Sequence, residues 1–225
     1  MSWGKNDETG AKRGYHHGNL REALIKAALD LISAKGPAGF TFAEAARAAG
    51  VSPAAPYRHF RDRDALIADV ARQGFQAFAR ALESAWGAGK PNPRAAFERV
   101  GRAYLQFARS EPAYFAAMFE SGLAGADYPE MEAEGDRAFA ILRTACEALI
   151  ETMPPSKRPP VMMMALHIWS LAHGIAALFA RGDRARRPIP MSPEDLLEAA
   201  TLIYLDGLGV PGVINPGAAG TTKNP

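Results

Sequence analysis

Apolar residues recur at intervals of three and four along most of the chain, and nowhere do they alternate with period two over the length of a strand. The first such face is Leu20, Leu24, Ala27, Ala28 and Leu31. Asn19 with Glu22 forms a capping box at its start, and Gly36-Pro37 ends it. A short alanine-rich helix follows from Thr41, whose hydroxyl and the Glu44 carboxylate three residues on can cap each other. Gly50 supplies the positive φ that stops this helix. Ser52-Pro53 then opens another, with Ser52 as N-cap and Pro53 where a missing N–H costs nothing. From Asp62 the stripe Leu66, Val70, Phe75, Phe78, Leu82 and Trp86 predicts one long amphipathic helix, broken by the glycines and prolines of 87–93.

Downstream, Phe97, Val100, Tyr104 and Phe107 mark a helix from about Pro93 to Arg109, and Ser110-Glu111-Pro112 caps a short one carrying Tyr114, Phe115, Met118 and Phe119. A loop over 122–129 precedes a helix from about Glu130 to Met153, stopped by Pro154-Pro155. The next helix covers 161–181, and Ser192-Pro193-Glu194-Asp195 opens the last, which ends near Gly207. The fold class is therefore all-α, with no internal repeat. The pattern divides the chain into a flexible basic arm (1–18), a three-helix head (19–64), a helical body (65–208) and a Gly/Pro-rich disordered tail (209–225).

Helix, glycine turn and capped helix at the spacing of 41–66 make a helix-turn-helix, whose second helix enters the major groove of DNA. Pro53, Ala54 and Ala55 are small enough for the backbone to approach base edges, and an alanine methyl can touch a thymine methyl. Tyr57, Arg58 and His59 carry donors suited to phosphates, and Arg63 in the first turn of the long helix can reach the same strand. With the capping residues Thr41 and Ser52 they form the candidate DNA-binding set. Pro56 strains this picture: as the fourth helical residue it cannot donate to the Ser52 carbonyl, and it biases Ala55 away from the α region. Either the helix starts a residue later or its first turn is distorted.

The stretch Phe40 to Ile67, FTFAEAARAAGVSPAAPYRHFRDRDALI, resembles the TetR family of bacterial transcriptional regulators. Gly50, Val51, Ser52, Tyr57, His59, Phe60, Arg63 and Leu66 fall on that family's motif, and Pro56 departs from its usual leucine or isoleucine. Trp169, His173 and Gly174 are similar to the Trp-x-x-x-His-Gly element in the C-terminal domain of one TetR subgroup, so the resemblance extends over most of the chain. It implies a repressor that binds a palindromic, inverted-repeat operator in double-stranded DNA as a homodimer and answers to a small effector.

Charge sharpens the division into head and body. The net charge is only +2, yet between Lys12 and Asp64 nine Lys/Arg face five Asp/Glu, an excess that suits a polyanion. Cys146 is the sole cysteine, which excludes a disulfide framework and favours the cytoplasm. Met162 to Ala180 is the nearest approach to a membrane span, but its two histidines and its length suit a buried helix better. No nucleophile–base spacing, glycine phosphate loop or metal cluster stands out, so neither an enzyme nor a cofactor is expected.

In the body, Tyr104, Phe107, Tyr114, Phe115, Met118, Phe119, Met163 and Trp169 supply aromatic and thioether surface, with His173 a polar group among them. Such a set can line a site for a small hydrophobic or aromatic effector, and it can equally fill a core. Ile168, Leu171, Ile175, Leu178, Leu197 and Ile203 exceed what a small body buries, and are expected between two copies of the chain. The competing function is a protein-interaction module with a degenerate helix-turn-helix, which Pro56 favours.

Overall fold

The computed structural model describes residues 20–180 and 189–208. Eight α-helices are found among them: α1 (Leu20–Lys35), α2 (Phe42–Ala48), α3 (Arg63–Trp86), α4 (Pro93–Ser110), α5 (Pro112–Glu120), α6 (Pro129–Glu151), α7 (Val161–Ala180) and α8 (Pro193–Gly207). The proposed arm, the Asn19 cap and the tail lie outside the described residues.

Local chemistry accounts for most helix ends. The Glu44 amide donates to Thr41 Oγ1 (3.2 Å) while the Thr41 amide donates to Glu44 Oε2 (2.7 Å), closing the box at α2. Asp62, Asn92 and Ser192 each accept from the backbone N–H three residues on, at 2.8, 2.9 and 3.0 Å, and so start α3, α4 and α8. The expected Ser110-Glu111-Pro112 cap takes another form. α4 runs through Ser110, and Glu111 is both the end of α4 and the start of α5, with no side-chain cap.

The expected second helix of the helix-turn-helix is not an α-helix. Gly50, at φ +73°, turns the chain after α2, and residues Ala55–Arg58 form a single 3₁₀ turn. Ser52 caps nothing with its side chain; its carbonyl accepts the Ala55 amide at 3.0 Å. Pro56 is the physical reason. Without an N–H it cannot close an α-helical bond to Ser52, and the chain settles for the tighter turn. The Pro56 carbonyl then accepts from both His59 and Phe60 N–H, at 2.9 and 3.0 Å. Its ring is fully buried, in the place an aliphatic anchor would take.

One core runs from the head into the body, from Leu24, Ile32, Phe40 and Phe60 through the inner face of α3 to Phe107, Phe115 and Ile175. α3 is its axis, packing on α1 at one end and on α4, α5 and α6 along its length. Gly74 allows α5 to come close: a Cβ there would sit 2.8 Å from Met118 Sδ. Asp69, 7% exposed, ties the two parts together by accepting from Arg21 of α1 (2.9 Å) and from Arg72 (2.8 Å). A second, smaller core of Phe97, Leu149, Met164, Ile168 and Leu205 joins α4, α6, α7 and α8 at the far end.

α7 is long and apolar enough to cross a membrane by length and composition, with mean hydropathy 1.6 over Val161–Phe179. Here its inner face is buried against α4, α6 and α8. Ile168, Ile175 and Leu197, expected between copies, belong to the buried cores of a single chain, and Leu171 is half-buried. Leu178 and Ile203 do face outward.

Candidate functional site

The corner between α2 and α3 presents Ser52, Pro53, Ala54, Tyr57, Arg58 and His59 to solvent, with Ala55 half-buried. Pro56 and Phe60 anchor it from beneath. Tyr57 is 64% exposed, and its ring stands edge-on to Phe42 at 5.1 Å. Arg58 and His59 make no ion pair among the described residues, so their donors are free for an anion.

Two members of the predicted set are otherwise employed. Thr41 spends its hydroxyl on the capping box, accepting from the Glu44 amide and donating to the Glu44 carboxylate. Hydrogen bonds from Lys35 and Thr41 hold that carboxylate at a pKa of about 2. Arg63 points inward rather than toward a phosphate. It donates to the carbonyls of Phe40 (2.7 Å) and Pro37, pairs with Asp64 (2.8 Å), and lies 5.0 Å over the Phe40 ring. The guanidinium fork thus ties the α1–α2 connection to the start of α3.

The body holds a cavity of about 340 Å3, within the range of small-ligand sites. Phe75, Phe78 and Leu82 of α3 form one wall, Phe97 and Tyr104 of α4 another, and Phe139 and Leu142 of α6 with Trp169 of α7 close the rest. Leu166 and Leu202 stand at its rim, and Thr201 is its small polar group.

Of the predicted ligand set, Tyr104, Phe119 and Trp169 line this space. His173 sits behind them, its Nδ1 2.9 Å from the Tyr104 hydroxyl and its ring stacked on Phe115 at 5.5 Å. Burial lowers the His173 pKa and raises that of Tyr104, so both are neutral near pH 7. Phe107, Phe115 and Met118 are buried core beyond the wall. Tyr114 packs against α3 beside Gly74. Met163 is 43% exposed on the outer face of α7 and takes no part. Sequence reasoning missed Phe75, Phe78, Phe97, Phe139 and Leu197 as lining residues. The first three stood in its apolar stripes, but a stripe marks a covered face without saying whether the cover is tight.

The outer face of α7 carries no Asp, Glu, Lys or Arg. Met163, Leu166, His167, Ser170, Gly174, Ala177 and Leu178 follow each other at three- and four-residue steps and are all exposed. Beside them α8 exposes Leu202 (38%) and Ile203 (75%). His167 Nδ1 lies 3.2 Å from the Tyr204 hydroxyl, which joins the two helices.

Comparison with known proteins covers both parts of the chain. Residues 24–70 match the family described as bacterial regulatory proteins, tetR family, and residues 97–203 match the tetracyclin repressor-like C-terminal domain. Together these take in more than half of the chain. Among solved structures, a protein of unknown function from Rhodococcus sp. RHA1 superposes with a TM-score of 0.71 at 29% identity, over 87% of this chain and 98% of that one. The TetR family transcriptional regulator PfmR from Thermus thermophilus gives 0.62 at 21% identity, over 84% and 98%. The fatty acid degradation regulator FadR from Bacillus halodurans gives 0.65 at 11% identity, over 89% and 99%. At such identities the last two show the fold alone. No curated protein matches the chain.

Proposed function

Since the chain belongs to the tetR family of bacterial regulatory proteins, we propose that it is a sequence-specific DNA-binding repressor of transcription. In this reading it acts in the cytoplasm without catalysis, binds an inverted-repeat operator as a homodimer, and is released by a small apolar effector. The observation that carries it is the reach of α3. This one helix starts beneath the exposed Tyr57-Arg58-His59 corner and lines the apolar cavity with Phe75, Phe78 and Leu82. A ligand that fits better in one tilt of α3 would shift the corner, and a coupling of about 1–3 kcal/mol changes DNA affinity roughly 5–150-fold. The outer face of α7, which carries no Asp, Glu, Lys or Arg, and the exposed Leu202 and Ile203 of α8 beside it support a two-fold dimer built on these helices, which would set two corners on one face of a duplex, about 34–36 Å or a multiple of it apart.

Fluorescence anisotropy on labelled genomic duplexes tests this directly. Wild-type protein is expected to select a few fragments carrying inverted repeats. Arg58→Ala should weaken binding to all fragments alike and reduce the log–log salt slope by about one phosphate, roughly 0.9. Uniform affinity across unrelated fragments would remove the operator from the proposal.

Pro56 and its 3₁₀ turn support a second reading, a protein-interaction module whose helix-turn-helix no longer reads DNA. Pro56→Leu separates the two. Leucine restores the N–H that α-helical bonding to Ser52 requires. For a reader of DNA this should re-aim Ala54 and Ala55 and change the preferred site in selection from randomised duplexes. A protein that selects no site before the substitution and gains one after it would favour the interaction module.

A further inference from the structure

The cavity is rich in carbon and its buried charges are already answered. Arg94, only 8% exposed, is held by Glu98 (3.4 Å, one turn along α4) and stands 3.9 Å from Asp206 of α8. Glu194 is paired with Arg109 at 2.6 Å. The remaining charged lining groups, Arg102 and Glu198, are one of each sign, and both are at the edge. All five ionic lining residues belong to α4 and α8, so charge is confined to one side of the space. The walls supplied by α3, α5, α6 and α7 carry none.

Apart from these ionic groups the hydrogen-bonding groups of the lining are few, and Tyr104 of α4 is the centre of them. The phenol can make three contacts, donating once and accepting twice. His173 Nδ1 lies 2.9 Å away. In the imidazole tautomer protonated on Nε2 the O–H is given to Nδ1, and the phenol oxygen keeps its acceptor positions.

We propose that the cavity takes an uncharged ligand, an aromatic or alicyclic hydrocarbon body carrying one hydroxyl that donates to the Tyr104 oxygen, and that it rejects carboxylates and ammonium ions. A carboxylate entering here meets no buried cation without a partner among the described residues, and buried charge left unpaired is costly. At the edge it could reach only the exposed Arg102, where an ion pair in water contributes little; deeper, it would have to displace Glu98 from Arg94 or remain in the apolar part. An ammonium ion faces the mirror of this problem. The regulatory consequence rests on the proposed function above; the binding preference does not.

The test uses full-length protein and isothermal titration calorimetry with four probes of one shape: 4-phenylphenol, biphenyl, biphenyl-4-carboxylate and biphenyl-4-ylmethylammonium. 4-Phenylphenol is expected to bind at least about tenfold more tightly than either ion. Tyr104→Phe should weaken 4-phenylphenol by about three- to tenfold and leave biphenyl unchanged, as expected for one lost hydrogen bond. Carboxylate or ammonium binding as tight as that of the phenol overturns the proposal, as does failure of the phenol to bind wild-type protein. Equal losses for phenol and biphenyl in Tyr104→Phe overturn the hydroxyl contact. Operator anisotropy in the presence of each bound probe keeps the two readings apart. A phenol that binds with the stated preference but leaves operator affinity unchanged supports the neutral cavity and refutes the regulation. A carboxylate that binds more tightly and releases operator does the reverse.

Discussion

Leu178→Asp combined with Ile203→Asp should leave the protein monomeric at micromolar concentration and lower its operator affinity at least about 100-fold. Both side chains are substantially exposed in the single chain, 49% and 75%, so the substitutions cost its own fold little. Leu178 lies on α7, which carries no Asp, Glu, Lys or Arg along its twenty residues, a length of about 30 Å at the helical rise, and Ile203 is exposed on α8 beside it. Two carboxylates placed on that face would be desolvated against their symmetry mates with no cation to meet them, which is strongly unfavourable. Operator binding then suffers because the second half-site is no longer held nearby. Linking two modest sites typically adds a factor of about 10²–10⁴ to affinity. Sedimentation velocity and anisotropy check the two effects together. A double variant that remains dimeric would move the interface elsewhere, and a monomer with undiminished operator affinity would rule out the two-site reading.

Arg63→Ala should lower the melting temperature by about 4–12 °C while leaving the salt dependence of DNA binding intact. The wild-type guanidinium serves two carbonyls of the α1–α2 connection, those of Phe40 and Pro37, and covers the Phe40 ring. Hydrogen bonds from a charged donor contribute about 1.5–3 kcal/mol each before the loss is softened by water at the partly exposed site. A net cost of about 2–3 kcal/mol at about 2–4 °C per kcal/mol for a chain of this size sets the expected range. Arg58→Ala should behave in the opposite manner, with an unchanged melting temperature and a smaller salt slope. If Arg63→Ala instead flattened the salt dependence at constant stability, its guanidinium would be a phosphate ligand and the inward arrangement would not persist on DNA.

Features whose cause lies within about four residues are legible in the amino-acid sequence. Thr41 with Glu44, Asp62, Asn92-Pro93 and Ser192-Pro193 mark the starts of helices because a cap is a contact between near neighbours. The irregular turn at Ala55–Arg58 is also foreshadowed, since Pro56 lacks a donor wherever it is placed. The Tyr57-Arg58-His59 corner follows from the same short-range pattern.

Contacts between distant parts of the chain were decided only by the tertiary structure. Arg63 meets carbonyls 23 and 26 residues earlier, so a residue that motif spacing assigned to DNA became an internal tie. Helical periodicity says that Ile168, Ile175 and Leu197 have a covered face, but not whether the cover is the same chain or a second copy; here it is the same chain. It places Met163 on α7 without saying that this side of the helix looks outward. Whether aromatic side chains fill a core or surround a space depends on how α3, α4, α6, α7 and α8 converge. Phe107 and Phe115 consequently ended in the packed interior, while Phe75, Phe97 and Phe139, no different in kind, came to line the cavity. Local sequence determines the elements and their capped ends. Only long-range packing, which sums many weak contacts across helices far apart in the chain, determines which apolar faces meet and where they leave room.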